Sequence, residues 1–314
     1  MRATEFRSVL KSLTTLTPKQ KSEVLQSLAG DPADCSPSIS QIIGNPSKCP
    51  SCGSGNLGKW GFSAGIPRFR CRDCKRCFNA LSGTPMSSLH MKDKWEQFAG
   101  CLLESKTIRA CAKECGISVP TAFLWRHRFL AWIDKTKPPA LQGIVEADET
   151  LFLDSKKGDR HLSRKARKRG GKAKKPGRSL ERVTVLVARD RNGVTTDFIM
   201  PHFNAQAVDE RLGQVIAADS LLCTDGSSVL ASFAAGRNLL HQAINASAGE
   251  HLALLGTIHV QNVNGYHSRL KRWMDRFHGV STKWLSRYLG WRRMLDGHQS
   301  ELTPYKVLRY ALAS

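Results

Sequence analysis

Apolar positions recur along this chain in two rhythms. Residues 92–105 (KDKWEQFAGCLLES) place Trp95, Phe98, Ala99, Leu102 and Leu103 at helical spacing. Phe6, Val9, Leu10, Leu13 and Leu16, then Val24, Leu25 and Leu28, predict two short amphipathic helices. They are broken at Thr17-Pro18, where Thr17 can cap the second. Residues 31–46, with three prolines and several serines, read as a linker. A short helix over 107–115, a turn at Gly116-Ile117-Ser118 and a helix over 119–133 capped by Ser118 have the form of a helix-turn-helix.

Shorter, β-branched runs follow. Residues 143–153 (GIVEADETLFL) predict a strand, 182–188 and 195–200 a hairpin turning at 189–193, and 221–224 and 239–244 two further short strands. Helices are expected from an Asn204 cap through Ala218, over 228–235 and over 262–277. Strand, hairpin, helix, strand and helix in that order predict an α/β domain with a mixed sheet.

The strand at 143–153 carries Glu146, Asp148 and Glu149. An unpaired buried carboxylate is costly, so these acids require a partner. A divalent cation would supply one. An edge strand with its acids in water or paired to Lys and Arg is the other reading. Strand alternation puts Glu146 and Asp148 on one face and Glu149 on the other.

Charge narrows the function. With 48 Lys and Arg against 26 Asp and Glu, the net charge is +22 in 314 residues. Such a field attracts polyanions, nucleic acid first. No run approaches the ~18 apolar residues that span a membrane. The N-terminus lacks the apolar core of a signal peptide, so a reducing, cytoplasmic location is expected. Residues 156–182 hold 13 Lys and Arg against Asp159 and Glu181, a net +11. With Gly170-Gly171 and Pro176-Gly177 this run reads as an unpacked, flexible loop that closes on phosphates, Lys165, Arg167, Lys168 and Arg169 among its contacts. A solvated charge run is the plainer reading. On the second helix of the helix-turn-helix, Thr121, Arg126 and Arg128 are the candidate DNA contacts, against an ordinary bundle with a basic solvated face.

Five of the ten cysteines fall between Cys49 and Cys77. Cys49-Pro-Ser-Cys52, eighteen residues, then Cys71-Arg-Asp-Cys74 match a four-thiolate structural Zn²⁺ site, with a Gly-rich, alternating segment between them suited to the hairpins of a zinc ribbon. Cys77 makes a second CxxC with Cys74 and is taken as a spare.

Asp148 lies mid-strand, Asp225 follows a buried strand 77 residues on, and Asn264 opens the late helix 39 residues later, with Lys271 seven further on the same face. Through CPSC with CRDC, VEADET, LLCTDGSS and HVQNVNGYHSRLKRWMDRFHGVSTKWLSRYLGWR, the chain from Cys49 to Arg292 resembles the RNase H-like transposases with an Asp-Asp-Glu triad. More narrowly it resembles the bacterial insertion-sequence family IS1595. Asn264 stands at the third acid's place, leaving the site one negative charge short. The resemblance implies an RNase H-like catalytic domain over 139–314, with the basic loop at 156–182. Before it come a helical segment and linker (1–46), a zinc ribbon (47–90) and a helix-turn-helix (91–138).

It further implies Mg²⁺ (or Mn²⁺) held by Asp148, Asp225 and Asn264 as two ions ~4 Å apart, with Lys271 on a phosphate. The reaction would cut at element ends and pass the freed 3′-OH to target DNA. Double-stranded DNA, as terminal inverted repeats and target, would be the partner, bound by a homodimer or larger assembly. His259 and His267 carry no assigned role, since a histidine beside a basic face more often serves phosphate or structure. The alternatives are a sequence-specific DNA-binding regulator with an inactive catalytic domain and a nuclease that cuts without joining.

Overall fold

The computed structural model describes residues 12, 15–17, 20, 42, 44–136, 139–162, 164–165, 171–244, 258–297 and 302–312. The helices expected before residue 30 and the linker lie almost wholly outside them. Thr17 and Gln20 do exchange bonds, Gln20 N–H to Thr17 Oγ1 at 3.3 Å and Thr17 N–H to Gln20 Oε1 at 3.0 Å, the reciprocal box that opens a helix. The chain divides into two compact units, residues 1–80 and 81–314.

In the first unit, β1 (Leu57–Ser63), β2 (Ile66–Cys71) and β3 (Cys77–Asn79) form an antiparallel three-stranded sheet. Its buried cluster is only Cys49, Phe69, Cys71 and Phe78, with Leu57 and Cys74 packed against it. The unit ends at residue 80, ten residues short of the expected ribbon boundary.

The second unit opens with α1 (Trp95–Leu103), α2 (Ile108–Glu114) and α3 (Val119–Phe129). Thr107 and Ser118 cap α2 and α3 by accepting from the Ala110 and Thr121 N–H groups. A five-stranded sheet follows, in the order β6-β5-β4-β7-β8. Its strands are β4 (Ile144–Leu153), β5 (Arg182–Asp190), β6 (Thr195–Met200), β7 (Leu221–Thr224) and β8 (Leu240–Ala243). β4 is central, antiparallel to β5 and parallel to β7. The acids therefore do not sit on an edge.

Alternation along β4 divides the two faces. Val145 and Ala147 enter the main core with Leu186, Ala188 and Leu222, under Val208 of α4 (Ala205–Arg211) and Leu230 and Phe233 of α5 (Ser228–Gly236). α4 stops seven residues before the expected Ala218, where a short 3-10 turn leads to a bridge between Ile216 and Leu141. Glu146 and Asp148 look the other way, toward α6 (Gln261–Asp275).

α6 and α7 (Leu285–Gly297) fuse the sheet to the first three helices. Trp273 Nε1 donates to Ser105 Oγ at 2.8 Å, and Trp291 Nε1 to the Leu102 carbonyl at 3.1 Å. A Cβ on Gly290 would meet Ile133 Cγ2 at 2.2 Å, so only glycine lets α7 approach so closely. α8 (Pro304–Leu312) packs on α1 and α3. The helix-turn-helix expected as a module of its own thus belongs to the same body as the sheet. The hinge expected at 135–139 is preceded by a 3-10 turn, Ala131–Lys135, and residues 137–138 lie outside the described ones.

Candidate active site

The parallel register of β4 and β7 builds the site. Glu146 lies opposite Cys223, the last aligned pair. Asp148 lies two residues further along β4, and Asp225 follows the last residue of β7, close enough for the charge of Asp148 to act on it. Gly226 follows at φ +88°, a left-handed turn that takes the chain away directly after Asp225. Partial burial and then the charge of Asp148 raise the Asp225 pKa, against the opposing pull of the Ser227 N–H, its own N–H and Arg178. A carboxylate whose charge is disfavoured by a neighbouring one suits a cation beside it.

Asp148 Oδ1 accepts from the Glu149 N–H at 2.7 Å, and its Oδ2 lies 3.4 Å from His267 Nδ1. His267 is buried in α6, one turn from Asn264 and so on its face. Asn264 and Lys271 are both exposed along that face.

α6 has no side-chain cap of its own at Val260. Glu146, fully buried, supplies one from the sheet: its Oε1 accepts from Asn262 Nδ2 and its Oε2 from the Val263 N–H, both at 2.9 Å. Arg191 Nη1 lies 2.9 Å away and His259 Nδ1 3.3 Å. A carboxylate at a helix N-terminus meets unsatisfied N–H groups and the positive end of the dipole. Glu146 thereby fixes the turn that carries Asn264.

Glu149 pairs with Arg178, whose Nε donates at 3.1 Å while its guanidinium lies 4.2 Å over Phe203. The basic loop is therefore not wholly unpacked. Arg178 pins one end beside Asp225, and Lys157 Nζ donates to the His278 and Gly279 carbonyls at the other. Lys165 is exposed, while Arg167, Lys168 and Arg169 lie outside the described residues.

Asp148 and Asp225 offer carboxylate oxygens, the hard donors that Mg²⁺ or Mn²⁺ prefers, and Asn264 is an exposed amide in the first turn of α6. Among the described residues, the one group of three or more His, Cys, Asp or Glu ligand atoms within 4.8 Å of one another is Cys49, Cys52, Cys71 and Cys74. Cys49 and Cys74 sulfurs are 3.6 Å apart, as are those of Cys52 and Cys71. Burial pushes the Cys49 thiol up, but the Ser51 and Cys52 N–H groups outweigh it and bring it to about 7. Cys71 is lowered chiefly by the Cys74 N–H. The turns after Cys49 and Cys71 favour the thiolate that zinc binds, while at Cys52 the pull of the Ser54 N–H is outweighed by the neighbouring Cys71, Cys74 and Cys49 sulfurs, which push it up to about 12. Cys77 is exposed in β3 and outside the group.

One expected DNA contact is corrected. Arg126 is fully buried, donating to Cys111 Sγ at 3.2 Å and to the Lys106 carbonyl, with its guanidinium 4.9 Å over Trp291. It holds α3 against α7 and presents nothing to DNA. Its spacing shows why: Ala122, Trp125, Arg126 and Phe129 form one buried helical stripe. Thr121 is half-buried and bonded to Ser118, and Arg128 is exposed. Sequence reasoning also left out three residues of the site. Histidine at 267 is visible one turn from Asn264 but ambiguous in role, and nothing separates Arg178 from its twelve basic neighbours. Glu146 is an acid whose use depends on a contact 117 residues away.

Residues 140–292, from before β4 into α7, match the sequence profile of the ISXO2-like transposase domain. A protein in transposable element ISH50 of Halobacterium salinarum, described as uncharacterized, is 28% identical over 250 residues, 77% of this chain and 82% of that one. A pre-cleavage Mos1 transpososome crystal structure aligns over 65% of this chain and 78% of that one at 14% identity, with a TM-score of 0.19, too low to equate the folds. Among the described residues no helix is long and apolar enough to cross a membrane. The segment similar to the ISXO2-like transposase domain, residues 140–292, is the one that carries Asp148, Asp225 and Asn264.

Proposed function

We propose that this chain is a DNA transposase that cuts at element ends and transfers the 3′-OH to target DNA, with an RNase H-like catalytic domain. The placement of Asp148 and Asp225 at adjacent parallel strand ends, under a helix locked down by Glu146, carries the reading. The sheet order, with three antiparallel strands followed by two parallel ones, supports the fold assignment.

Asp148, Asp225 and Asn264 would hold the divalent cation. When bound, it supplies Lewis-acid charge against the negative charge that builds on the phosphodiester oxygens. His267 fixes the Asp148 carboxylate through Oδ2 and leaves Oδ1 to the strand N–H. Glu146 sets the rotation and depth of α6, and so the approach of the Asn264 amide. Lys271, two turns along, meets a DNA phosphate. Asn264 contributes a neutral oxygen, so Asn264→Asp should tighten Mg²⁺ binding and Asn264→Ala should weaken it. The four cysteines would hold zinc, whose role is to fold the ribbon. Lys165, Arg167, Lys168 and Arg169 add sequence-independent grip on DNA, and Thr121 and Arg128 remain the α3 candidates. A homodimer or larger assembly on paired ends is the expected active form.

The test is an assay with the full chain, Mg²⁺, target DNA and end DNA supplied both intact and pre-cut with a free 3′-OH. Metal-dependent joined product is expected. Cut ends without joining would indicate a nuclease, and binding without either reaction a regulator.

A further inference from the structure

Apart from Thr121 and Arg128, the exposed face of α3 is apolar. Its outward side chains are Val119, Phe123 and Leu124, each 44–46% exposed, with Arg128 beside them. Phe123 and Leu124 open onto a cleft of about 440 Å³ closed on the far side by Trp284 and Arg287. That volume falls within the roughly 300–1,000 Å³ of small-ligand sites. At its floor the His127 ring stacks on Trp284 with centroids 3.9 Å apart, and Phe123 stands edge-on to His127 at 4.6 Å. Lys283 and Arg287 lie over the Trp284 ring at 5.3 and 4.9 Å. The Phe123 ring is therefore the aromatic left open to solvent.

His127 supplies a second observation. It is 95% buried, and its Nδ1 has no hydrogen-bond partner among the described residues. Burial first, then Arg287, Arg126 and Lys283, hold it neutral, with its pKa down to about 3. A neutral imidazole nitrogen at the floor of an aromatic cleft can bond a donor or an acceptor, according to tautomer. The rim is cationic, through Arg128 and Lys283.

We propose that this cleft binds an unstacked nucleobase of single-stranded or frayed DNA. The base stacks on Phe123, its polar edge meets His127, and its phosphate lies on Arg128. An exposed aromatic ring beside cations is the arrangement that holds unpaired bases without reading sequence. The inference rests on the DNA-acting reading above, but not on the carboxylate site.

The experiment measures binding of the full chain to fluorescein-labelled oligothymidylate of about eight nucleotides, and to a duplex of equal length, by fluorescence anisotropy. Phe123→Leu, which keeps the apolar bulk, should weaken the single strand roughly tenfold and the duplex less than about twofold. Phe123→Trp should bind the single strand as the parent does. Arg128→Ala should weaken it and reduce the salt slope by about one. Binding is read without Mg²⁺ and without joining, so a chain inactive in joining can still pass this test. The proposal is overturned if Phe123→Leu leaves single-strand binding intact or lowers both probes equally. It is also overturned if the variant instead alters sedimentation, which would assign this face to a second copy.

Discussion

The two metal-ligand regions are built on opposite plans. In the ribbon, four sulfurs already lie within 4.8 Å of one another, around a core of two phenylalanines and their own thiols. Asp148 lies on β4, Asp225 just past β7 and Asn264 on α6, elements that rest on the main core or against it without any ion. On the proposed reading, the first arrangement would use metal to fold and the second a fold to offer metal. A closed thiolate shell serves structure, whereas an open oxygen site leaves room for a phosphate.

The sharpest break of that contrast is metal removal. Structural zinc contributes about 10–16 kcal/mol in small thiolate domains, so chelation or Cys49→Ser should unfold residues 47–80. The thermal transition of 81–314 should stay in place. Zinc stoichiometry should fall from one to zero in Cys49→Ser and stay at one in Cys77→Ser. Cooperative loss of both units on chelation would contradict the comparison.

The next effect falls on Glu146. Glu146→Ala leaves Arg191 without its buried partner and the start of α6 uncapped, at a cost of about 3 kcal/mol, or roughly 6–12 °C in calorimetry. Joining activity should fall with it although Glu146 meets no DNA. A smaller loss, about 2 kcal/mol, is expected for Arg126→Ala through lost stacking on Trp291 and lost packing, while Arg128→Ala should stay within about 0.5 kcal/mol.

The smallest effect sharpens the open site. Asp225 has a raised pKa in the folded chain, so its ionisation weakens the metal-free fold as pH rises from the ordinary carboxylate range through that raised value. Asp225→Asn should therefore stabilise the metal-free protein at pH 7 and have little effect at pH 3. Added Mg²⁺ should stabilise the parent and leave the variant unmoved. Equal denaturant midpoints at pH 7 without metal would count against crowding of Asp148 and Asp225.

How much of this is legible in the sequence follows from how local each interaction is. The thiolate knuckles are local, each a two-residue gap, and their spacing reads directly. Strand alternation also reads directly, so Glu146 and Asp148 fall on one face as their spacing requires. The burial of Arg126 was there to be read in the stripe of Ala122, Trp125 and Phe129, but a basic residue in a basic chain suggests solvent first. Glu146 capping α6, His267 on Asp148 and Arg178 on Glu149 are long-range meetings, set by sheet register and helix docking. The ordinary explanation holds for Glu146 and Glu149, which are paired to arginines, whereas Asp148 faces a histidine and a second carboxylate.

The central claim is that Asp148 and Asp225 act together on one phosphodiester. It is tested most directly by joining pre-cut end DNA to a target plasmid with the parent chain, Asp148→Ala and Asp225→Ala, each checked for an unchanged melting profile and duplex affinity. The account predicts Mg²⁺-dependent joined product from the parent and background from both variants. Joined product persisting in either folded variant would contradict it.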